Sequence, residues 1–280
     1  MIFSIVRMYS ILYGFVKDHF KLNLPGLGYA LRKIKSDHIL DIHGRKMFLG
    51  HKVAVCYGRH ISGAWNEPET HIFLNSLIQQ VQSPIAFVDV GANIGEMVID
   101  VSRHHNVTKI IAFEPLADCV EAIEKSLDLN QVKNYLIIEK LVSDGIGQAS
   151  FGASRSLGGS SVLSHESTAS TNQVATTTLD HELDSVVDDT IILIDVEGYE
   201  PQVLKGGLQF INRRKPLIIF EYNHVSKMHF KSDDIQTILG DQYKIYRLRS
   251  DATLDTDIER AWNCVAVPSN TKFSKILRFD

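Results

Sequence analysis

The sequence predicts an α/β fold whose mostly parallel sheet is doubly wound, with helices on both faces and an antiparallel edge. Short apolar runs alternate with segments of helical periodicity between residues 85 and 224, which is typical of strand–helix–strand units. The run at 85–90 is almost continuously apolar, as expected for a parallel strand that is buried on both faces. An acid lies at the carboxyl end of five predicted strands: Asp89, Glu114, Asp144, Asp195 and Glu221.

The strand predicted at 85–90 leads through a glycine turn into a helix, which is the first half of a nucleotide-binding unit. Its glycines, Gly91 and Gly95, are separated by three residues and do not follow the Gly-x-Gly-x-x-Gly pattern of dinucleotide sites. Asp89 stands two residues before the turn, and a carboxylate there repels phosphate but suits a ligand with positive charge. S-adenosylmethionine carries an ammonium, a sulfonium and no phosphate, so the turn favours this cofactor over NAD.

The next two predicted strands also end in acids. An apolar run at 109–113 leads to Glu114, about 20 residues beyond the glycine turn, where such folds bind ribose hydroxyls. Pro115 is suited to open a helix over 116–129. The segment 135–142 predicts one strand that ends near Asp144, a residue that a simple turn would explain equally well.

Residues 150–178 are rich in Ser, Thr, Gly and Ala and poor in large apolar groups. Such a composition cannot form a core, so it predicts a long surface excursion. A plain linker is the favoured interpretation, and a mobile lid over an active site is the alternative. Ser160 and Ser161 lie in its most regular part, and the β-branched residues at 174–178 favour an edge strand.

The last part of the chain predicts two more buried strands, two helices and an antiparallel pair of strands. These elements are expected at 191–195, 201–211, 216–221, 233–239, 243–248 and 264–267. Ligands of doubly wound sheets bind outside the carboxyl ends of the strands. The five strand-end acids are therefore expected to line one cleft that attracts a cation and rejects phosphate.

Residues 1–66 are interpreted as an extension, and a helix start at Glu67 opens a catalytic domain over 67–280. That helix is expected to bury Ile72. Apolar residues recur at helical spacing over 1–21, but charges interrupt them and the stretch is too short to span a bilayer. Packing of this helix on the domain, or on a second subunit of a homo-oligomer, is favoured, and a peripheral helix at the inner face of the membrane is the alternative. Short runs indicate a small β subdomain at 39–42, 47–49 and 53–57.

Composition and charge indicate an ordinary globular protein that is not a general nucleic-acid binder. The chain is 44% hydrophobic and 22% charged, as is usual for globular domains. Residues 1–52 hold nine Lys or Arg and three Asp, a net charge of +6, which leaves −10 for the rest of a chain whose total is −4. Three widely spaced cysteines indicate a reducing, cytoplasmic compartment and give no disulfide or zinc framework.

Seven short motifs follow one another over about residues 65–222. They are Phe87-Val-Asp-Val-Gly-Ala-Asn-Ile-Gly95, Ala112-Phe-Glu-Pro115, Ser143-Asp144, Ser160-Ser161, Thr178-Leu-Asp180, Ile194-Asp-Val-Glu-Gly-Tyr-Glu200 and Ile219-Phe-Glu221. In kind and order these motifs resemble those of the FkbM family of S-adenosylmethionine-dependent methyltransferases. The resemblance implies a Rossmann-like class I methyltransferase fold and O-methylation, often of sugars, polysaccharides or polyketide-type products. Leu193 departs from the family pattern, because a lysine is frequent there.

The candidate site residues fall into three groups. Asp195 and His224 are the candidates for a base that removes the proton of an acceptor hydroxyl. The cofactor-binding candidates are Asp89, Gly91, Asn93, Gly95, Glu114, Ser143, Asp144 and Asp195. The acceptor-binding candidates are Ser160, Ser161, Glu197, Glu221 and Asn223.

The sequence therefore predicts a methyltransferase that acts on a hydroxyl of a glycan or another small molecule. A divalent metal held by Asp195, Glu221 and Asn223 would also lower the pKa of that hydroxyl, but no ligand spacing requires a metal, and none is predicted. A nucleic-acid methyltransferase is the weaker rival, because the predicted catalytic part is acidic and lacks an Asn-Pro-Pro-aromatic element. A non-catalytic module that binds the cofactor or a membrane is the other alternative.

Overall fold

A computed structural model describes residues 37–50, 64–153, 160–162 and 172–277 of the protein. Its strands are, in chain order, β1 (His38–Ile42), β2 (Arg45–Leu49), β3 (Ile85–Val90), β4 (Val107–Phe113), β5 (Tyr135–Ile138), β6 (Leu141–Val142), β7 (Gly147–Ala153), β8 (Ser160–Val162), β9 (Asn172–Thr177), β10 (Asp189–Ile194), β11 (Leu217–Glu221), β12 (Tyr243–Leu248), β13 (Leu254–Asp255) and β14 (Asn263–Pro268). The helices are α1 (Pro68–Gln80), α2 (Glu96–Val101), α3 (Ala117–Leu129), α4 (Leu179–Glu182), α5 (Glu200–Lys205), α6 (Leu208–Arg214), α7 (Ser226–His229), α8 (Ser232–Leu239) and α9 (Lys272–Ile276).

The centre of the fold is an eight-stranded sheet in the order β13-β12-β14-β11-β10-β3-β4-β5. The five strands from β11 to β5 are mutually parallel, and β14 enters antiparallel between β11 and β12. The order along the chain reverses at β3, whose neighbours are β4 on one side and β10 on the other. The predicted doubly wound sheet with an antiparallel edge is confirmed, and β3 and β10 flank its switch point.

Two hydrophobic cores lie on the two faces of this sheet, as the all-apolar pattern of its central strands predicts. Every residue of β3 is buried. Ala86, Val88 and Val90 pack in one core, which includes Leu204. Phe87 belongs to the other core. Because side chains alternate along a strand, this one apolar segment anchors the helices of both faces.

A second sheet, in the order β6-β9-β7-β8, replaces part of what the sequence predicts. The single strand expected at 135–142 is divided, since β5 pairs with β4 while β6 pairs with β9 of the second sheet. A tight turn separates them, in which the Lys140 amide donates to the carbonyl of Ile138 at 2.8 Å. Strand β9 is not the predicted edge strand but lies between β6 and β7. Most of the expected surface excursion, at 154–159 and 163–171, lies outside the described residues.

The hairpin β1–β2 packs on α3 and the residue after it through hydrogen bonds from backbone amides of β2. The Phe48 amide donates to Ser126 Oγ at 2.9 Å, and the Lys46 amide donates to Asn130 Oδ1 at 3.0 Å. The predicted helix at 1–21 and the predicted strand at 53–57 lie outside the described residues, and the domain boundary at residue 66 stays a prediction. Within the described ranges, each helix is too short or too polar to cross a membrane.

Substitutions of single glycines test the packing of β3 against β10. A Cβ on Gly91, whose φ is +88°, would lie 2.0 Å from the backbone oxygen of Asp195, so Gly91→Ala should lower the free energy of unfolding by more than about 2 kcal/mol. Gly44 has a φ of +79°, but a Cβ there would have no neighbour within 4 Å. Gly44→Ala should therefore lower the free energy of unfolding by only about 1 kcal/mol. Denaturant unfolding of both variants measures this difference, and equal losses would contradict the close contact.

Candidate active site

The first part of the candidate site is the glycine turn between β3 and α2. The amides of Gly91 and Ala92 both donate to the carbonyl of Phe113 at 3.0 Å, which ties the turn to the end of β4. Glu114 follows that strand, and its Oε2 accepts the amide of Asn93 at 2.9 Å. Asn93 is left-handed, with a φ of 49°, a conformation that costs free energy in a non-glycine residue. The carboxylate of Glu114 therefore holds the turn in its strained shape.

Burial raises the pKa of both acids beside this turn. Asp89 lies within β3 and is 3% exposed, and Glu114 is 5% exposed. Burial raises the pKa of Asp89 to about 7, and the nearby Glu114 carboxylate adds to the shift. Burial likewise raises the pKa of Glu114 to about 7, although hydrogen bonds from the amides of Leu116 and Asn93 oppose it. Both groups are therefore poised to ionise when a positively charged ligand binds.

The second part of the site is a group of three carboxyl side chains at the ends of β10 and β11 and before α1. Asp195, Glu221 and Glu67 each place an oxygen within 4.8 Å of the others. Burial and the neighbouring acid raise the pKa of Asp195 well above its ordinary value, and burial raises that of Glu221 to about 8. This group can share a proton or hold a divalent cation.

Glu67 is a site residue that the sequence analysis missed. It stands about 130 residues before Asp195 in the chain. In the sequence, the pair Glu67-Pro68 indicates only the start of a helix. Its φ of 44° is left-handed, and its Oε2 accepts Asn263 Nδ2 at 2.7 Å. Asn263 is the register partner of Glu221 in β14. The antiparallel strand therefore places Glu67 against Glu221.

A buried polar network fixes the start of α1 against α2. His71 Nδ1 lies 2.7 Å from Asp100 Oδ2, and its Nε2 lies 3.2 Å from Glu96 Oε1. Trp65 stacks on the imidazole with ring centroids 5.0 Å apart, and Asn66 donates its side-chain amide to Glu96 Oε2 at 3.1 Å. The predicted burial of Ile72 is wrong, because Ile72 is 56% exposed while His71 is 4% exposed. The helix is rotated so that its polar residue completes this network.

The loop after β10 joins the two parts of the site. The Asp195 amide donates to the carbonyl of Val90 at 2.9 Å, next to Gly91 of the glycine turn. Glu197 is left-handed, with a φ of 55°, and burial raises its pKa. Glu200 is fully buried and accepts the amides of Val196 and Gly198 at 3.3 Å. Its Oε2 has no hydrogen-bond partner among the described residues, and burial raises its pKa to about 7.

The remaining candidates have different surroundings. Asn223 lies in the turn before α7, where its Oδ1 accepts the amides of residues 225 and 226 at 2.7 and 3.0 Å and its Nδ2 donates to Glu221. The side-chain amide of Asn223 thus positions the carboxyl group of Glu221. His224 is exposed, with its ring 6.0 Å from that of Trp262. Trp262 directly precedes β14, and an aromatic residue beside a strand is too common a pattern to single it out in the sequence.

Ser143 and Asp144 lie at the end of β6 and belong to the second sheet. Ser143 is buried, and its Oγ donates to Asp144 Oδ1 at 3.1 Å and lies 3.2 Å from the Tyr199 hydroxyl. Asp144 is exposed. Ser160 and Ser161 pair with β7, and their side chains lie outside the description. The structure thus brings together the candidates of β3 and β4 at the glycine turn and those at the ends of β10 and β11, whereas Ser143 contacts the loop after β10 through Tyr199.

Comparisons with known proteins decide the family. The model of the methyltransferase FkbM domain matches residues 89–247, which is more than half of the chain. The protein belongs to the FkbM methyltransferase family. Its fold is the Rossmann-like methyltransferase fold, and S-adenosylmethionine is the cofactor of this FkbM domain, as the acids of β3 and β4 predict. No curated protein matches the chain significantly.

Solved structures resemble the FkbM domain only distantly. Methyltransferase FkbM from Methylobacillus flagellatus KT has a TM-score of 0.44 and 19% identity, covering 65% of this chain and 43% of that one. The chain thus spans less than half of that protein. TYW2 of M. jannaschii, in complex with AdoMet, has a TM-score of 0.44 and 12% identity, covering 83% of this chain and 84% of that one. The family assignment rests on the domain match and not on these scores.

Removal of the Glu114 carboxylate should weaken cofactor binding. Glu114→Ala is expected to cost ~1–3 kcal/mol of S-adenosylmethionine affinity, because a buried hydrogen-bonding group is lost. Calorimetric titration measures this affinity, and Glu124→Gln, which changes an exposed acid on α3, should leave it unchanged. If Glu114→Ala binds as tightly as the wild type and melts at the same temperature, Glu114 does not belong to the cofactor site.

The buried acids should make the free protein less stable as the pH rises. An acid whose folded pKa exceeds its unfolded value carries no penalty below the unfolded pKa and its full penalty above the folded one. With folded pKa values of about 7 for Asp89 and Glu114 and about 8 for Glu221, melting temperature should fall between about pH 4.5 and pH 8. Glu114→Gln should flatten this fall, and Glu124→Gln should not. If Glu114→Gln leaves the fall of melting temperature with pH unaltered, Glu114 does not contribute to that fall.

Proposed function

We propose that the protein is an O-methyltransferase that acts on a hydroxyl of a carbohydrate or another small metabolite. The observation that carries this proposal is the close pair of carboxyl groups of Asp195 and Glu221, whose oxygens lie within 4.8 Å of each other beside the glycine turn. The backbone of Asp195 bonds to the last residue of β3, so the pair faces the position that a methyl donor on this turn would occupy. A carboxyl pair there supplies a base where the acceptor oxygen must lose its proton.

Methyl transfer from S-adenosylmethionine is an in-line displacement. The acceptor oxygen forms a bond to the methyl carbon as the carbon–sulfur bond breaks, and its proton passes to the enzyme while S-adenosylhomocysteine leaves. Binding of both substrates on one rigid sheet supplies the required alignment. The site's part is to place the oxygen, to accept the proton and to exclude water from the sulfonium.

When two carboxyl groups lie this close, ionisation of one opposes ionisation of the other, so the pair loses its protons in two separate steps. The carboxylate formed in the first step can act as the base. The raised pKa of Glu221, about 8, brings the pair nearer to the basicity that suits a general base at neutral pH. We assign the base to this pair and not to His224, because the side chain of His224 is exposed to solvent.

Charge supports a small-molecule or glycan acceptor over a nucleic acid. Five acids surround the proposed acceptor position: Glu67, Asp195, Glu197, Glu200 and Glu221. Phosphate groups would meet repulsion there, whereas neutral hydroxyls donate hydrogen bonds to carboxylates. We place the enzyme in the cytoplasm, because three cysteines that are far apart in the sequence suit a reducing compartment.

Asp195→Asn should lower turnover by roughly 10²–10⁴, the usual contribution of a general base, while the fold and most cofactor affinity remain. S-adenosylhomocysteine release with a panel of methyl glycopyranosides measures turnover, and melting temperature and calorimetry measure the other two. Asp184→Asn makes the same chemical change at an exposed position before β10 begins and should be silent. Wild-type turnover in Asp195→Asn would exclude Asp195 as the base.

Asp195→Asn, together with a chelator test of the wild type, separates the role of a base from two competing roles of Asp195. A role as metal ligand, with Glu67 and Glu221, predicts that a chelator abolishes wild-type activity and that Mg²⁺ or Mn²⁺ restores it. A purely structural role predicts a lower melting temperature with turnover per folded molecule preserved. A non-catalytic module predicts cofactor binding without methyl transfer to any acceptor.

A further inference from the structure

An exposed indole lies beside the acidic group of the active site. Trp262 is 48% exposed, whereas Trp65 is 6% exposed. Trp262 directly precedes Asn263, which pairs with Glu221 in the sheet and donates to Glu67. The indole is therefore one residue away from the strand position that links two of the carboxyl groups.

The backbone at Trp262 is held by specific hydrogen bonds. Its carbonyl accepts the Tyr222 amide at 2.8 Å. Lys227 Nζ donates to the carbonyls of Glu259 and Ala261 at 2.8 and 3.0 Å, and the same ammonium lies 5.0 Å from the centroid of the Tyr222 ring. A side chain on a fixed segment loses less freedom when it binds a ligand.

His224 completes a rim of rings and acids around the acceptor position. Its ring centroid is 6.0 Å from that of Trp262, with a tilt of 50°. The imidazole also acts electrostatically on Glu197, whose pKa it lowers against the larger effect of burial. His224 thus lies near both the indole of Trp262 and the carboxyl group of Glu197.

The position of Trp262 in the sheet places it away from the cofactor's adenosine. Strand β14 is separated from β3 by β11 and β10, whereas the ribose-binding candidate Glu114 follows β4 on the far side of β3. An indole on the β14 side can contact the acceptor without contacting the nucleoside.

We propose that Trp262, with His224 at its side, is a stacking platform for one face of a pyranose ring in the acceptor. A pyranose presents weakly positive C–H groups on one face and hydroxyls around its edge. The face of an indole carries the negative part of its quadrupole and attracts the C–H groups, while Glu197 and Glu221 accept hydrogen bonds from the hydroxyls. This inference rests on the proposed glycan acceptor and adds the residue that selects a ring over a linear polyol.

Saturation-transfer NMR with methyl glycopyranosides, recorded in the presence of S-adenosylhomocysteine, tests the platform without requiring turnover. The wild type should saturate the protons of one ring face most strongly. Trp262→Ala and Trp262→Leu should lose that pattern, since leucine is apolar but has no π face, and Trp262→Phe should keep it. Wild-type saturation in Trp262→Ala, or none in the wild type with any glycoside of the panel, would overturn the proposal.

Kinetics then separate this inference from the proposed function. For an accepted glycoside, Trp262→Ala should raise KM roughly fivefold to tenfold, the effect of one aromatic contact, with kcat and S-adenosylmethionine affinity near wild type. An unchanged KM would contradict the platform while leaving methyl transfer intact. Face-selective binding without release of S-adenosylhomocysteine would contradict the proposed O-methylation while leaving the platform intact.

Discussion

Burial of carboxyl groups at the carboxyl ends of parallel strands is the constraint on which the site depends. Parallel strands pack helices on both faces, so the acids that end them leave bulk water and ionise with difficulty. Asp89, Glu114 and Glu221 all show this effect, with the pKa raised to about 7 or 8. The sheet thus holds acids whose charge depends on what binds beside them. A cationic methyl donor is a ligand that stabilises their ionised form.

In the proposed reaction, the contact between β3 and β10 joins donor binding to proton transfer. Gly91 lies so close to the Asp195 carbonyl that a single added carbon would meet it at 2.0 Å, and the Asp195 amide bonds to the end of β3. The proposed cofactor-binding turn and the acid proposed as the base are therefore held together by direct backbone contacts. This rigidity suits a displacement in which three atoms must lie on one line. Left-handed backbone at Asn93, Glu197 and Glu67 concentrates strain at the same place.

Local patterns predict most of the central sheet, and contacts distant in the chain explain the errors. The apolar run of β3, its glycine turn and the acid at Glu114 lie within about 30 residues, and their meaning follows from one strand–helix–strand unit. Glu67 could not be found in this way, because β14 brings it to Glu221 through Asn263. The division of 135–142 was missed for a similar reason, since β6 is defined by its partner β9. Alternation alone carries no information about which sheet a strand joins.

The most direct test of the central idea is the number of protons released when S-adenosylmethionine binds. Calorimetric titrations near pH 7, in buffers of different ionisation enthalpy, give this number. Because the pKa values of Asp89 and Glu114 are raised to about 7, a cation beside them should lower both, and binding should release a net fraction of a proton or more. Asp89→Asn should reduce the release. Binding with no proton release, or with proton uptake, would show that the cofactor does not cause these buried acids to ionise.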